Sequence, residues 1–117
     1  MKKALEFFDP GGIAWESVEG MPGMEQKILS GDKNTPDHTR LARVAGGISY
    51  DIALSHDFYE EIWILEGSIV DKSTGETYAA GMYACRPPGM SHGPFEFEES
   101  AVFFEVRYST SPGAVRE

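Results

Sequence analysis

Glycine and proline recur along this chain at short intervals, and that spacing constrains its fold more than any other feature. Turn-forming clusters stand at Pro10-Gly11-Gly12, Gly20-Met21-Pro22-Gly23, Gly31 to Pro36, Gly46-Gly47, Gly67, Ser73-Thr74-Gly75, Gly81, Pro87-Pro88-Gly89 and Ser111-Pro112-Gly113. Between most of them lie segments of about five to ten residues, the length of strands rather than of long helices. With 13 Gly and 7 Pro in 117 residues, the chain reads as all-β, a sandwich or a small antiparallel barrel.

Side-chain alternation places the strands. Met24 to Ser30, Thr39 to Ala45, Glu61 to Val70 and Ala101 to Tyr108 each carry strand-like composition. In the last of these, Val102, Phe104, Val106 and Tyr108 share one face, and Phe103, Glu105 and Arg107 share the other. Around the third, Glu60, Ile62 and Ile64 share a face opposite Glu61, Trp63 and Leu65. Asp71 to Glu76, with Gly75 near its end, reads as a hairpin loop. The best helical candidate is a single turn near Pro22 to Gln26.

No linker, low-complexity tract or internal repeat divides the chain, so residues 1–117 read as one domain. The net charge of -9 disfavours a phosphate backbone or an anionic bilayer as partner, so neither nucleic acid nor membrane is expected. The single cysteine, Cys85, cannot form an intrachain disulfide, and a reducing cytoplasm is the expected setting. Lys2 and Lys3 precede an apolar run that is short and broken by Glu6, which does not read as a signal peptide.

The chemistry-bearing residues sit in two runs. The first is His56-Asp57-Phe58-Tyr59-Glu60-Glu61-Ile62-Trp63-Ile64-Leu65-Glu66-Gly67, and the second is Gly81-Met82-Tyr83-Ala84-Cys85-Arg86-Pro87-Pro88-Gly89-Met90-Ser91-His92. Two imidazoles and one carboxylate cap one face of an octahedral Fe(II), Mn(II) or Ni(II) ion and leave its other positions open. Strand parity allows only one of Glu60 and Glu61 to point at such an ion. No phosphate-binding loop, dinucleotide fingerprint or nucleophile elbow is present.

These runs resemble the two motifs of the cupin superfamily. In the first motif His56, Glu60 and Gly67 fall on the family's spacing. In the second, Gly81, Pro87, Gly89 and His92 do so, with Glu96 where the family has Asn. The resemblance spans residues 42–108. The phrasing Glu-Glu-Ile-Trp-Ile-Leu-Glu-Gly and Arg-Pro-Pro-Gly-Met-Ser-His is most similar to one branch. That branch holds the metal-binding cupin half of zinc anti-sigma factors and small dioxygenases that cleave diketones and hydroxyketones. The resemblance implies a jelly-roll barrel, a homodimer, and one divalent ion (Fe, Mn, Ni or Zn) on His56, Glu60 and His92. Leu54 stands where the family carries a further His, and Gly47 is off by one from the expected glycine.

Other residues have plainer readings beside the chemical one. His38 reads as an exposed strand end, or as a substitute for the missing ligand. Cys85 reads as a buried small hydrophobe or as a thiolate near the ion. Arg86 reads as a partner of Glu61 or Glu105, or as an anchor for an anionic substrate. Phe58, Tyr59, Trp63, Tyr83, Phe95 and Phe97, with Tyr50, Met82 and Met90, read as core or pocket wall. Leu54, Tyr59, Ile62, Ile64, Arg86 and Phe104 are the expected pocket lining. The expected function is a metal-dependent dioxygenase of a small bidentate oxygenated substrate. The alternatives are a metal- or ligand-binding sensor without catalysis, and an isomerase or decarboxylase on the same metal.

Overall fold

Ten strands and one 3-10 turn account for the regular structure in the computed structural model, which describes residues 2–109. The strands are β1 (Glu16–Ser17), β2 (Met24–Gly31), β3 (His38–Val44), β4 (Ile48–Ser49), β5 (Tyr59–Glu66), β6 (Ser68–Asp71), β7 (Thr77–Ala79), β8 (Tyr83–Arg86), β9 (Phe95–Phe97) and β10 (Ala101–Tyr108). The 3-10 turn, Pro10–Gly12, is capped by Asp9, whose carboxylate accepts a hydrogen bond from the Gly11 amide at 2.8 Å. At Pro22 to Gln26 there is no helical turn: the chain enters β2 at Met24. No helix among the described residues is long and apolar enough to cross a membrane.

The strands form two antiparallel sheets, ordered β1-β2-β3-β10-β5-β8 and β4-β9-β6-β7. One apolar core joins them: Met24, Ala42, Val44, Ile62, Ile64, Ala101 and Phe103 from the larger sheet meet Ile69 and Phe97 from the smaller. The Phe97 and Phe103 rings lie 6.1 Å apart across the gap. The all-β class and the antiparallel pairing match the sequence reading. A closed barrel does not appear: among the described residues the strand ladders end at β1 and β8 in one sheet and at β4 and β7 in the other.

The expected strand Glu61 to Val70 is two strands in different sheets. Gly67 separates β5 from β6 with a φ of +77°. A side chain there would run into the Ser100 carbonyl and Ala101, so glycine lets the chain leave one sheet and enter the other. Between β6 and β7 the hairpin forms where the turn residues place it. The Asp71 carboxylate accepts from the Ser73 amide at 2.9 Å, and the Gly75 amide donates to the Asp71 carbonyl at 2.8 Å.

Register in the larger sheet sorts the inner face into rows. Arg86, Glu60, Arg107 and His38 are aligned across β8, β5, β10 and β3. The next row runs Ala84, Ile62, Glu105, Arg40, and the one after that includes Ile64, Phe103 and Ala42. One end of the inner face is therefore charged and the other apolar.

Candidate metal centre

Local backbone sets the two imidazoles. His56 lies just before β5, where its ring stacks on Phe58 at 3.8 Å and its Nδ1 sits 3.3 Å from the Phe58 carbonyl oxygen. His92 follows the Pro87-Pro88-Gly89 turn, and its Nδ1 sits 3.3 Å from the Met90 carbonyl oxygen. A carbonyl accepts only, so each contact assigns the ring proton to Nδ1 and leaves the Nε2 lone pair free. The two loops hold one another: the Gly89 amide donates to the His56 carbonyl at 2.8 Å. His92 and Leu54 also exchange both backbone hydrogen bonds, at 2.8 and 2.9 Å.

Glu60, the second residue of β5, points inward between the two rings. Its Oε2 lies 3.8 Å from His56 Nε2 and its Oε1 lies 3.8 Å from His92 Nε2. One donor atom from each of the three residues fits within 4.8 Å of the others. Among the described residues, the buried His56 Nε2 has no hydrogen-bond partner. An orphaned lone pair beside a buried carboxylate and a second free imidazole nitrogen suits a divalent cation, which would satisfy all three. The donor set thus fits the ion that the motifs imply.

Arginines complete the floor. Arg107 Nη2 lies 2.8 Å from Glu60 Oε2, and Arg86 Nη1 lies 3.2 Å from Glu60 Oε1. Arg107 also reaches Glu105 at 3.3 Å. Glu105 in turn is held by Arg40 at 3.0 Å, and Arg40 donates to Gln26 at 2.6 Å. Burial raises the Glu60 carboxyl above the usual range, with the Glu105 charge adding; Arg107 and Arg86 work against that rise. For Glu105, burial again works upward, but the guanidiniums of Arg40 and Arg107 outweigh it and hold the carboxyl low. Burial pushes the His92 imidazole down to about 4, and the nearby Arg86 charge adds to the effect.

A cavity of about 710 Å³ opens above this floor. His56, Glu60, His92, Leu54, Ile62, Ile64 and Arg86 all line it, as do Tyr50, Met82, Met90, Phe95 and Phe97. Leu54 and His92 are direct partners in an antiparallel bridge, so their side chains leave the backbone on the same face.

Several expectations need correcting. Tyr59 and Phe104 do not line the cavity; alternation turns them to the outer face of the larger sheet, where Tyr59 stacks on Tyr108 at 5.2 Å and Phe104 stands opposite Trp63. Arg86 pairs with Glu60, not with Glu61 or Glu105. Glu61 is on the outer face, where its carboxylate accepts from the hydroxyls of Tyr83 and Tyr108. Those bonds hold the Glu61 carboxyl below its ordinary range. His38 is buried rather than exposed; its Nδ1 contacts the Thr35 carbonyl oxygen at 2.9 Å, and it is not one of the three clustered residues. Cys85 is exposed, not buried. Trp63 is half exposed on the outer face.

Arg40, Phe103 and Arg107 also line the site, where the sequence does not place them, and so does Glu105, which the sequence offers only as a partner of Arg86. The alternation of Ala101 to Tyr108 groups Phe103, Glu105 and Arg107 correctly, but alternation does not say which face is inside. Two charged residues on one face point to solvent, but here both face inward because partners on other strands neutralise them: Glu60 on β5 pairs with Arg107 at 2.8 Å, and Arg40 on β3 pairs with Glu105 at 3.0 Å.

No curated protein sequence matches the chain significantly. Among solved structures it is similar to an acetylacetone dioxygenase from Acinetobacter johnsonii, with TM-score 0.69 and 17% identity over 97% of this chain and 83% of that one. It is similar to the polyketide cyclase RemF from Streptomyces resistomycificus, with TM-score 0.73 and 22% identity over 93% and 82% of the two chains. It is also similar to a chain in the complex of Rhodobacter sphaeroides SigE with the anti-sigma ChrR. There the TM-score is 0.62 and the identity 19%, over 83% of this chain and 50% of that one. These likenesses establish the cupin fold. The ChrR cupin-like domain family matches residues 4–110, nearly the whole length, and the chain belongs to that family.

Proposed function

We propose that this chain is a metal-dependent cupin enzyme acting on a small oxygenated organic molecule. The reaction we infer is dioxygenation of a diketone, hydroxyketone or similar bidentate substrate. The observation that carries this reading is the convergence of His56 Nε2, His92 Nε2 and the Glu60 carboxylate on one buried point. One Fe, Mn, Ni or Zn ion would be held by those three residues. When bound, it supplies Lewis acidity and a template for a two-oxygen ligand.

The chain's own residues prepare that point. The Phe58 and Met90 carbonyls orient the two rings and hold their protons on Nδ1. Arg86 and Arg107 keep the Glu60 carboxylate in place between the rings. Ile62, Ile64 and Phe103 form a buried apolar wall beside it. The likeness to an acetylacetone dioxygenase supports the reaction class. The same reading has the chain working in the cytoplasm as a homodimer. Trp63, Leu65 and Tyr83, exposed on the outer face of the larger sheet, support the dimer, and sedimentation velocity measures it.

The family match supports a second reading, a metal-binding sensor without catalysis. Protein purified without chelator separates the two. We expect one ion per chain by elemental analysis, and oxygen uptake with at least one diketone or hydroxyketone. A bound ion with no uptake across such a series would reject the dioxygenase and favour the sensor. Protein that takes up no divalent ion would reject both.

A further inference from the structure

We propose that the ligand of this cavity is a carboxylate with an apolar body. Its acid group would be held at the charged floor by Arg86, and its hydrocarbon would lie along the apolar wall. The proposal rests on the reading of the centre as a metal site, because the ion would anchor a second oxygen of the same ligand.

Charge on the floor is the first argument. Arg40, Arg86 and Arg107 face Glu60 and Glu105 in one connected network, which leaves one positive charge in excess. A divalent ion on the cluster would make the excess three. An uncompensated charge in a buried site is costly, and an anionic ligand removes that cost. The cavity also touches Glu19, Asp51 and Asp71. Glu19 and Asp51 are exposed, Asp51 is paired with Lys72 at 3.3 Å, and Asp71 is committed to Ser73. Glu19 and Asp51 lie where water screens them, so they weigh little against the floor.

The state of Arg86 is the second argument. Among the described residues its side chain makes a single hydrogen bond, to Glu60 Oε1, and its guanidinium lies over the Phe95 ring at 5.1 Å. A guanidinium has five N–H donors in a planar fork suited to a carboxylate. Arg40 and Arg107, by contrast, each serve two partners. Arg86 lines the cavity, so its spare donors are open to a ligand. Its contact atom, Glu60 Oε1, is also 3.8 Å from His92 Nε2, so one small acid group can lie beside both the ion site and the guanidinium.

Size and lining are the third. About 710 Å³ exceeds what a ligand of a few atoms would fill, and it falls within the range of sites for drug-sized molecules. Ile62, Ile64, Ile69, Phe97 and Phe103 supply a wall with no hydrogen-bonding side chain. A polar head with an apolar tail satisfies both ends at once.

The test uses zinc-loaded protein with measured zinc content and titration calorimetry with phenylpyruvate, its methyl ester and pyruvate. Phenylpyruvate should bind about tenfold more tightly than either comparison ligand. Arg86→Gln should bring acid and ester within about threefold, and Arg86→Lys should keep part of the preference. An ester that binds as well as the acid to the unaltered protein overturns the proposal. So does a full acid preference in folded Arg86→Gln protein, and so does pyruvate binding as tightly as phenylpyruvate. Should the protein refuse zinc, the metal reading fails, and the same comparison on metal-free protein still decides the role of Arg86.

Discussion

His92 shows how much one residue's surroundings decide. An imidazole in an unfolded chain protonates near pH 6.5, whereas burial and the Arg86 charge bring His92 down to about 4. As pH falls, the unfolded chain therefore takes up this proton first. The stability that neutral His92 contributes is complete above about pH 6.5 and is lost as pH falls toward 4. Thermal melts of metal-free protein should fall across that window, and His92→Gln should flatten that part of the profile. Leu54 makes a second residue-scale prediction. It stands beside His92 on the same face of a backbone bridge and lines the cavity, so Leu54→His should add a donor and tighten zinc about tenfold. Equilibrium dialysis reads the change; an unchanged constant in folded protein would mean that this position does not reach the ion.

Strand β5 and its continuation carry the lesson at the level of elements. Composition made Glu61 to Val70 a single run, because β-branched and aromatic residues continue across Gly67 without interruption. The break depends on a backbone conformation with φ of +77° and on the close approach of Ser100. Gly67→Ala should cost about 3 kcal/mol in urea unfolding, from the strained φ together with contact against backbone that cannot yield. A loss below about 0.5 kcal/mol, the scale of a neutral surface change, would show that the chain turns there for another reason. Within β5, alternation served well: Glu60, Ile62 and Ile64 do share the inner face. In β10 it could not choose between faces, since the buried one carries Glu105 and Arg107 and the other carries Val102, Phe104 and Val106. Phe104 was therefore expected inside, and Tyr59 was expected there as an aromatic near the motif. Both are turned away from the cavity.

Over the whole molecule, an acidic chain of net charge -9 builds a positive floor inside its cavity. Arg107 is its keystone, bound to both Glu60 and Glu105. Arg107→Met should destabilise the protein by about 3 to 5 kcal/mol, because two buried carboxylates would then share fewer cations. Chemical denaturation measures this, and Glu105→Gln in the same background should recover part of the loss. What could be read from residue order is what depends on near neighbours: the strands β2, β3 and β10, the Asp71 hairpin, and two motifs whose internal spacing brings His56, Glu60 and His92 into view. Turn chemistry and alternation act over a few residues, so order along the chain expresses them directly. Which face of β10 is buried, that Arg86 and Arg107 converge on Glu60, and that the ladders stop short of a ring depend on strands far apart in sequence. Those contacts exist only after the sheets have paired, because a charged side chain is stable inside only when its partner arrives from another strand.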